Sequence, residues 1–191
     1  MPSVTNKPFG LRNAYAYERT AATPTYSTGV DVSCINSFKF DPKVVEAMLE
    51  GDDTICASHS NLESIDVAVQ NGGMDLAVYD LLFGGTLVDS GSGSSAQTIL
   101  DYKVSDRRPY LGIIGQAYDG GGGAGDTLII LPKAKATGGG GGEFAKGKFF
   151  TGDFKFNCLP SDVDSDLIMR AVNRTTAAAL SSTWLSNPVH H

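Results

Sequence analysis

The residues of this sequence that could do chemistry are few and far apart. A nucleophilic serine or cysteine needs a base beside it, and the only histidine away from the C-terminal end is His59, in the polar stretch Ser58-His59-Ser60-Asn61. A lone histidine in such a stretch is typical of a solvated loop. The chain also lacks the Gly-x-Ser-x-Gly elbow of serine hydrolases. We therefore interpret it as a protein that is not an enzyme.

One glycine pattern matches a nucleotide-binding motif literally. Gly120-x-Gly122-x-x-Gly125 has the spacing of the dinucleotide fingerprint. That fingerprint needs a helix after the glycines, because the helix N-terminus holds the pyrophosphate. Residues 126–132 instead read as a strand, so the sequence predicts a hairpin loop here and no cofactor.

An acidic cluster has the spacing that opens a calcium loop. Asp162, Asp164 and Asp166 occupy its positions one, three and five. An EF-hand then needs Gly at position six and Glu at position twelve, where this chain has Leu167 and Asn173. We expect no metal, and interpret the cluster as complementing the N-terminus of a following helix.

The cysteines favour neither a metal nor a redox site. Cys34, Cys56 and Cys158 are odd in number and widely spaced, without the Cys-x-x-Cys spacing of such sites. The sequence predicts three reduced, mostly buried thiols.

Charge and hydropathy restrict the possible partners. The net charge of the 191-residue chain is −6 and its pI is near 4.9. A protein that holds nucleic acid tightly has a basic surface that neutralises phosphates, and this sequence has no basic stripe. No apolar run approaches the ~20 residues that cross a bilayer, so we expect no membrane insertion. The length fits one domain.

The elements that must position any site are mainly strands. Alternation begins at Val30 and predicts a first strand that ends at Pro42, and residues 43–50 are interpreted as strand rather than helix. Residues 62–70 and 150–158 alternate strictly between apolar and polar, which is typical of half-buried strands. Further strands are predicted at 54–58, 99–105, 109–118 and 127–137, with loops at 86–97, 119–126 and 138–142.

One short helix interrupts this pattern. Residues 74–83 have apolar side chains at helical spacing, with Asp75 in the first turn and Gly84-Gly85 after the last. Residues 1–29 read as an extended N-terminal arm, and residues 161–191 as a C-terminal arm with a helical portion around 167–172. We therefore predict an antiparallel β-sandwich or barrel over residues 30–160, with one short packed α-helix and extended terminal arms.

The order of these features resembles a known family. The resemblance covers residues 30–160 and rests on hydrophobic spacing and glycines. The matching features occur in a fixed order along the chain. They are residues 49–53 at the end of an apolar strand, Asn71-Gly72-Gly73, the helix at 74–84, residues 107–115, residues 129–137 and a final Phe-rich strand. This order is similar to that of the major tail proteins, or tail-tube proteins, of long-tailed, siphophage-like bacteriophages.

The resemblance implies a structural virion protein. Such subunits form hexameric rings whose inner strands join into a continuous β-barrel. The stacked rings form the tube through which DNA passes during ejection, and terminal arms and a long inter-strand loop bridge the rings. The implied partners are further copies of the chain, the tape-measure and terminator proteins, and DNA in transit. The implied location is the phage tail, after synthesis in the host cytoplasm.

Within that interpretation two sets of residues are candidates for function. Polar faces of two strands could line the lumen, or could equally be an ordinary solvated outer face: Ser64, Asp66, Gln70, Thr151, Asp153, Lys155 and Asn157. Side chains of the N-terminal arm and of one loop could contact a neighbouring subunit, or could pack on their own domain or remain exposed: Arg12, Tyr15, Tyr17, Arg19, Arg107 and Arg108.

Three other functions stay open. The chain could form the tube of a contractile tail or a ring of a secretion system. It could be a glycan-binding β-sandwich of a virion fibre or an adhesin, or a hydrolase that uses His59.

Overall fold

The computed structural model describes residues 6–20, 25–51, 54–138, 140–164 and 166–186, and these form a mainly-β fold. The strands are β1 (Pro8–Glu18), β2 (Val30–Asp31), β3 (Ile35–Gly51), β4 (Thr54–Gly72), β5 (Thr86–Ser90), β6 (Gln97–Asp101), β7 (Tyr110–Asp119), β8 (Asp126–Ala136), β9 (Gly141–Gly142), β10 (Thr151–Cys158) and β11 (Arg170–Arg174). The helices are α1 (Leu76–Phe83) and α2 (Thr183–Ser186), and a 3₁₀ turn spans Gly93–Ser95. The predicted fold class is confirmed.

Nine of the strands form one antiparallel sheet. Its order is β2-β1-β7-β8-β10-β4-β3, while β11 pairs with β8, β9 pairs with β10, and β5 and β6 form a separate hairpin. The sheet curls, so that β1 contacts β3. The ring of Phe38 in β3 lies 3.5 Å from the position that a Cβ at Gly115 of β7 would take. The curled sheet therefore encloses its own core.

Two apolar clusters cover the faces of β7 and β8. The cluster inside the curl joins these strands to β1, β4, β10 and α1 through Leu111, Ile113, Leu131, Ala14, Ile65, Val67, Phe154, Phe156 and Val78. The second cluster covers the opposite face and joins Tyr17, Ile114, Leu128 and Ile130 to Leu185 of α2. Burial on both faces explains why 110–118 and 127–137 read as nearly continuous apolar strands.

The helix α1 forms where its period predicts. The Asp75 carboxylate accepts a hydrogen bond from the Ala77 backbone N–H at 3.0 Å and so caps the N-terminus. Gly84 ends the helix in the left-handed conformation (φ 71°), which favours glycine. Val78, Tyr79 and Leu82 are buried.

The predicted N-terminal arm is wrong for residues 8–18, because these form β1 inside the sheet. This strand pairs with β7, and its small residues Ala14 and Ala16 are each 1% exposed. Alanines bury little apolar area, so their alternation is a weak sequence signal. Residues 1–5, 21–24 and 187–191 of the predicted arms lie outside the described residues, as do 52–53 in the predicted turn after Gly51.

The first predicted strand does not end at Pro42. Instead, β3 continues through Pro42 to Gly51, which confirms strand at 43–50. Pro42 is tolerated because β3 is an edge strand, where a missing N–H can face outward. Residues 86–90, predicted as loop, form β5, because β6 is available to pair with them.

The helix predicted around 167–172 is also wrong. Residues 170–174 form β11, which pairs with β8 along residues 126–130. The acidic cluster therefore caps no helix, and its backbone turns where the Leu167 N–H donates to the Asp164 carbonyl at 2.9 Å. Asp162 pairs with Arg19 and Lys133.

The described thiols differ in exposure. Cys158 is fully buried, and burial, together with the nearby charge of Asp66, raises its pKa to about 12. Cys34 is exposed and has a φ of 53°, so the prediction of mostly buried thiols is wrong for Cys34. The described part of the chain has no helix of the length and hydropathy needed to cross a membrane.

A buried ion pair fastens the C-terminal segment to the sheet. Asp126, at the start of β8, is 0% exposed. It accepts a hydrogen bond from Arg174 Nε at 2.6 Å, and further bonds from Arg174 Nη2 and Gln116 Nε2. Arg174 and Gln116 also donate to the Ala178 carbonyl, at 2.9 and 3.1 Å. Burial alone would raise the pKa of Asp126, but the hydrogen bonds from Arg174 and Gln116 outweigh it and lower the pKa.

We expect Asp126→Asn to lower the free energy of unfolding by about 3 kcal/mol at pH 7, because it leaves the buried guanidinium without an anion. Denaturant unfolding would measure this, with the exposed Asp101→Asn as the control. A lowered pKa stabilises the fold above the ordinary Asp value of 3.8, and this contribution is lost as the pH falls through the folded pKa. The free energies of unfolding of the wild type and of Asp126→Asn should therefore converge in acid. Equal stability at pH 7 would contradict a stabilising role for the pair.

Candidate functional site

Eleven polar side chains of β3, β4 and β10 lie on the outer face of the curled sheet. In the ladder, Asp153 lies opposite Gln70 and Asn157 opposite Asp66, while Asp66 also lies opposite Asp41. We call this surface the polar face, and it comprises Ser37, Lys39, Asp41, Lys43, Ser64, Asp66, Gln70, Thr151, Asp153, Lys155 and Asn157. The alternate residues of β10, Phe154 and Phe156, point into the core.

The seven lumen candidates are thus brought together on one face. Gln70, Asp153 and Lys155 are exposed, whereas Ser64 is only 8% exposed. The sequence analysis missed the contribution of β3. Its signal was the alternation of Lys39 and Asp41 with Phe38 and Phe40 inside the predicted first strand, and only Lys43 lies beyond the predicted end of that strand at Pro42.

Hydrogen bonds and ion pairs connect the three strands across this face. Asn157 Nδ2 donates to Ser64 Oγ at 3.1 Å and to Asp66 Oδ1 at 3.0 Å. Lys43 Nζ lies 2.9 Å from an Asp41 oxygen and 3.7 Å from an Asp66 oxygen. The hydrogen bond from Lys43 lowers the pKa of Asp41, and the same bond raises the pKa of Lys43. These groups are solvated, so they order the surface more than they stabilise it.

The charge of the polar face is balanced. Its lysines are Lys39, Lys43 and Lys155, and its carboxylates are Asp41, Asp66 and Asp153. Such a face has no excess of cations to bind phosphates.

The distal half of the β3–β4 hairpin extends beyond the rest of the sheet. We call residues 44–51 of β3 and 54–62 of β4 the distal ribbon. Within the described residues they pair only with each other, because β10 covers β4 from Ile65 to Gly72. Val44 lies opposite Leu62, and these side chains are 51% and 48% exposed. Val45 and Met48 are 52% and 57% exposed.

Two of the predicted inter-subunit residues lie inside their own subunit. The Tyr17 ring is buried in the second cluster, and the Arg19 side chain is 8% exposed and pairs with Asp162. Pairing of β1 with β7, and the hydrogen bond from the Arg19 N–H to the Tyr110 carbonyl, hold this segment on its own sheet, so the burial of these side chains does not support the predicted contact with a neighbour. Tyr15 is partly buried beside Tyr17, with ring centroids 6.2 Å apart.

The remaining arginines of that set differ. Arg12 is exposed, with its guanidinium carbon 4.1 Å from the centroid of the Tyr118 ring. Arg107 is also exposed. Arg108 is held within the subunit, where Nη1 donates to the Ala136 carbonyl at 3.1 Å.

The structure also places the glycine pattern, His59 and the possible metal ligands that the sequence analysis considered. The glycines of the dinucleotide-like pattern lie in the turn between β7 and β8, as the hairpin prediction requires. His59 is exposed in the distal ribbon, opposite Ala47. In the described ranges, no group of three or more His, Cys, Asp or Glu side chains could hold a metal ion.

Comparison with known proteins identifies no family: no family model matches the chain, and no curated protein matches it significantly.

We expect amide hydrogen exchange to divide β4 into two parts in the isolated subunit. The distal ribbon should exchange rapidly, because a two-stranded ribbon without a packed face is marginally stable in water. Residues 65–72, which pair with β3 and β10, should be protected. Exchange followed by mass spectrometry or NMR measures this. Equal protection along β4 would show that the ribbon is stable by itself.

Proposed function

We propose that this protein is a structural subunit that assembles into stacked hexameric rings, and that these form the tail tube of a long-tailed bacteriophage. The distal ribbon is the observation that carries the proposal. Among the described residues its strands pair only with each other, and the side chains of Val44, Val45, Met48 and Leu62 are 48–57% exposed.

The ribbon needs a second surface to be stable. A sheet of two strands buries too little apolar area to be stable independently. Val44 and Leu62 form one exposed cross-strand pair, and Met48 lies on the same side of β3, four pairs further along the ribbon. Packing this side against a neighbouring ring would bury these side chains and supply the missing stabilisation.

The edge of the sheet supports ring formation. No described strand pairs with the outer edge of β3, so its backbone N–H and C=O groups are available for hydrogen bonds. An open edge is a template for pairing with another chain, and a closed ring of subunits would satisfy it. In such a ring the polar face beside this edge lines the lumen.

The charge of the polar face suits a conduit for DNA. A surface that released many counterions on binding phosphates would hold DNA, whereas a balanced surface lets it slide. On this face Lys39 and Lys43 flank Asp41 in β3, and Lys155 follows Asp153 in β10, so each strand that carries lysines also carries an aspartate.

Electron microscopy of the purified protein, concentrated at several salt concentrations, tests the proposal. We expect six-fold rings or hollow tubes. If the protein remains monomeric or trimeric under all conditions, and also when tail-initiation proteins are added, the proposal is wrong.

Replacing Val44 and Leu62 by Asp should abolish assembly, because two carboxylates opposite each other cannot be buried between rings. The core of the curled sheet lies elsewhere, so the thermal unfolding midpoint of the isolated subunit should change little. Val104→Asp is the matched control, since Val104 is fully exposed in a loop. Normal tubes from the double variant would exclude the ribbon as the contact between rings.

Replacing Asp66 and Asp153 by Lys should slow DNA ejection while tubes still form, because the polar face then carries a strong positive charge that binds phosphates. Ejection kinetics of phages with the variant subunit measure this, with the charge-conserving Asp66→Glu and Asp153→Glu variant as the control. Unchanged kinetics would remove the polar face from the lumen.

A further inference from the structure

A pocket lined by aromatic rings lies between α1 and the segment that follows β6. Its volume is about 440 Å³. Tyr79, Phe83 and Tyr102 supply the rings, and Lys103, Asp106 and Arg108 supply charged groups at the rim. None of its lining residues belongs to the polar face or to the distal ribbon, and the proposed tube makes no use of it. A concave aromatic site with a few polar groups is the usual form of a small-ligand site.

The aromatic walls of the pocket meet nearly at a right angle. The rings of Phe83 and Tyr102 have centroids 6.2 Å apart and an interplanar angle of 84°. Tyr102 is 51% exposed, so its ring is accessible to a ligand. Tyr79, at the base, is 6.0 Å from Phe83.

Two glycines hold these rings in place. A Cβ at Gly140 would lie 2.6 Å from the Phe83 ring, and a Cβ at Gly85 would lie 3.0 Å from the Tyr102 ring. Any larger residue at 140 would have to displace the Phe83 ring. The rings of Phe83 and Tyr102 thus pack directly on the backbone of Gly140 and Gly85. The pocket is therefore formed before a ligand binds, which reduces the entropy cost of binding.

The rim of the pocket supplies both hydrogen-bond donors and hydrogen-bond acceptors. Asp106 Oδ2 accepts the Lys103 backbone N–H at 2.7 Å, which places this carboxylate and the Lys103 side chain on one turn. Arg108 is held by the Ala136 carbonyl and lies 5.3 Å from the Phe83 ring centroid. Lys103 and Arg108 thus supply hydrogen-bond donors and Asp106 supplies an acceptor, so the rim fits a ligand that both donates and accepts hydrogen bonds.

We propose that this pocket binds a neutral pyranose sugar. The aliphatic C–H face of a pyranose ring carries partial positive charge and packs on the negative faces of aromatic rings. Each hydroxyl both donates and accepts a hydrogen bond, which matches a rim where Lys103 donates and Asp106 accepts. The volume accommodates one ring with its substituents. The site would give the outer surface of the protein an affinity for cell-surface glycans.

The test is binding of the full-length protein to an array of neutral monosaccharides and oligosaccharides, followed by NMR titration with the glycan that binds best. We expect Tyr102→Ala to weaken binding at least roughly tenfold. Gly140→Ala should also weaken it, since its Cβ displaces Phe83. The matched control is Tyr118→Ala, an exposed tyrosine (40%) outside the pocket that should bind as the wild type does.

Three outcomes would overturn the proposal. The first is that the wild type binds no neutral glycan, and the second is that the Tyr102→Ala variant binds with wild-type affinity. The third is that the Tyr102→Ala variant loses assembly and keeps its glycan binding. The last would show that a neighbouring copy fills the pocket. Circular dichroism and amide dispersion of each variant separate loss of binding from loss of folding. The test applies to the isolated subunit and is independent of whether the protein forms tubes.

Discussion

The rest of the structure depends on one constraint, the register in which β10 pairs with β4. In this ladder Phe154 and Phe156 face the core, while Asp153 and Lys155 face outward. A slip of one residue would exchange the two sets and bury both charges. Burial of each phenylalanine contributes about 1.5–3 kcal/mol, and burial of an unpaired charge costs more. The register is therefore strongly specified, and the polar face is a consequence of the core behind it.

The central strand β8 determines which surfaces of the subunit remain free. Its two faces are covered by different clusters, and it pairs with β7 on one side and with β10 and β11 on the other. The Asp126–Arg174 pair adds the C-terminal segment to this arrangement. The described terminal segments are thus used within the subunit, to complete the sheet and cover its second face. Among the described residues, nothing gives such cover to the outer edge of β3 or to the distal ribbon, and this asymmetry is what supports the self-assembly that we propose.

Charge distribution matters more here than total charge. The chain carries a net charge of −6, but the polar face has equal numbers of lysines and aspartates. Lys43 lies 2.9 Å from Asp41 on its own strand and 3.7 Å from Asp66 on the next strand, so opposite charges meet at short range, where screening by salt is least complete. In the tube that we propose, this balance would keep the polar face from holding phosphate chains.

The sequence by itself determined the elements whose evidence is local. Strict alternation at 62–70 and 150–158, the capped period of α1, and the glycine turn between β7 and β8 were all predicted from neighbouring residues. Seven residues of the polar face followed from that alternation. Only the tertiary structure decided that residues 8–18 and 170–174 are strands, because their stability comes from pairing with distant β7 and β8 and not from their own composition. It also decided that Tyr17 and Arg19 are internal, that Lys39, Asp41 and Lys43 complete the polar face, and that the distal ribbon extends unsupported. Strand pairing is a contact between residues far apart in the chain, so the local pattern can show that a strand exists but cannot show what lies beside it.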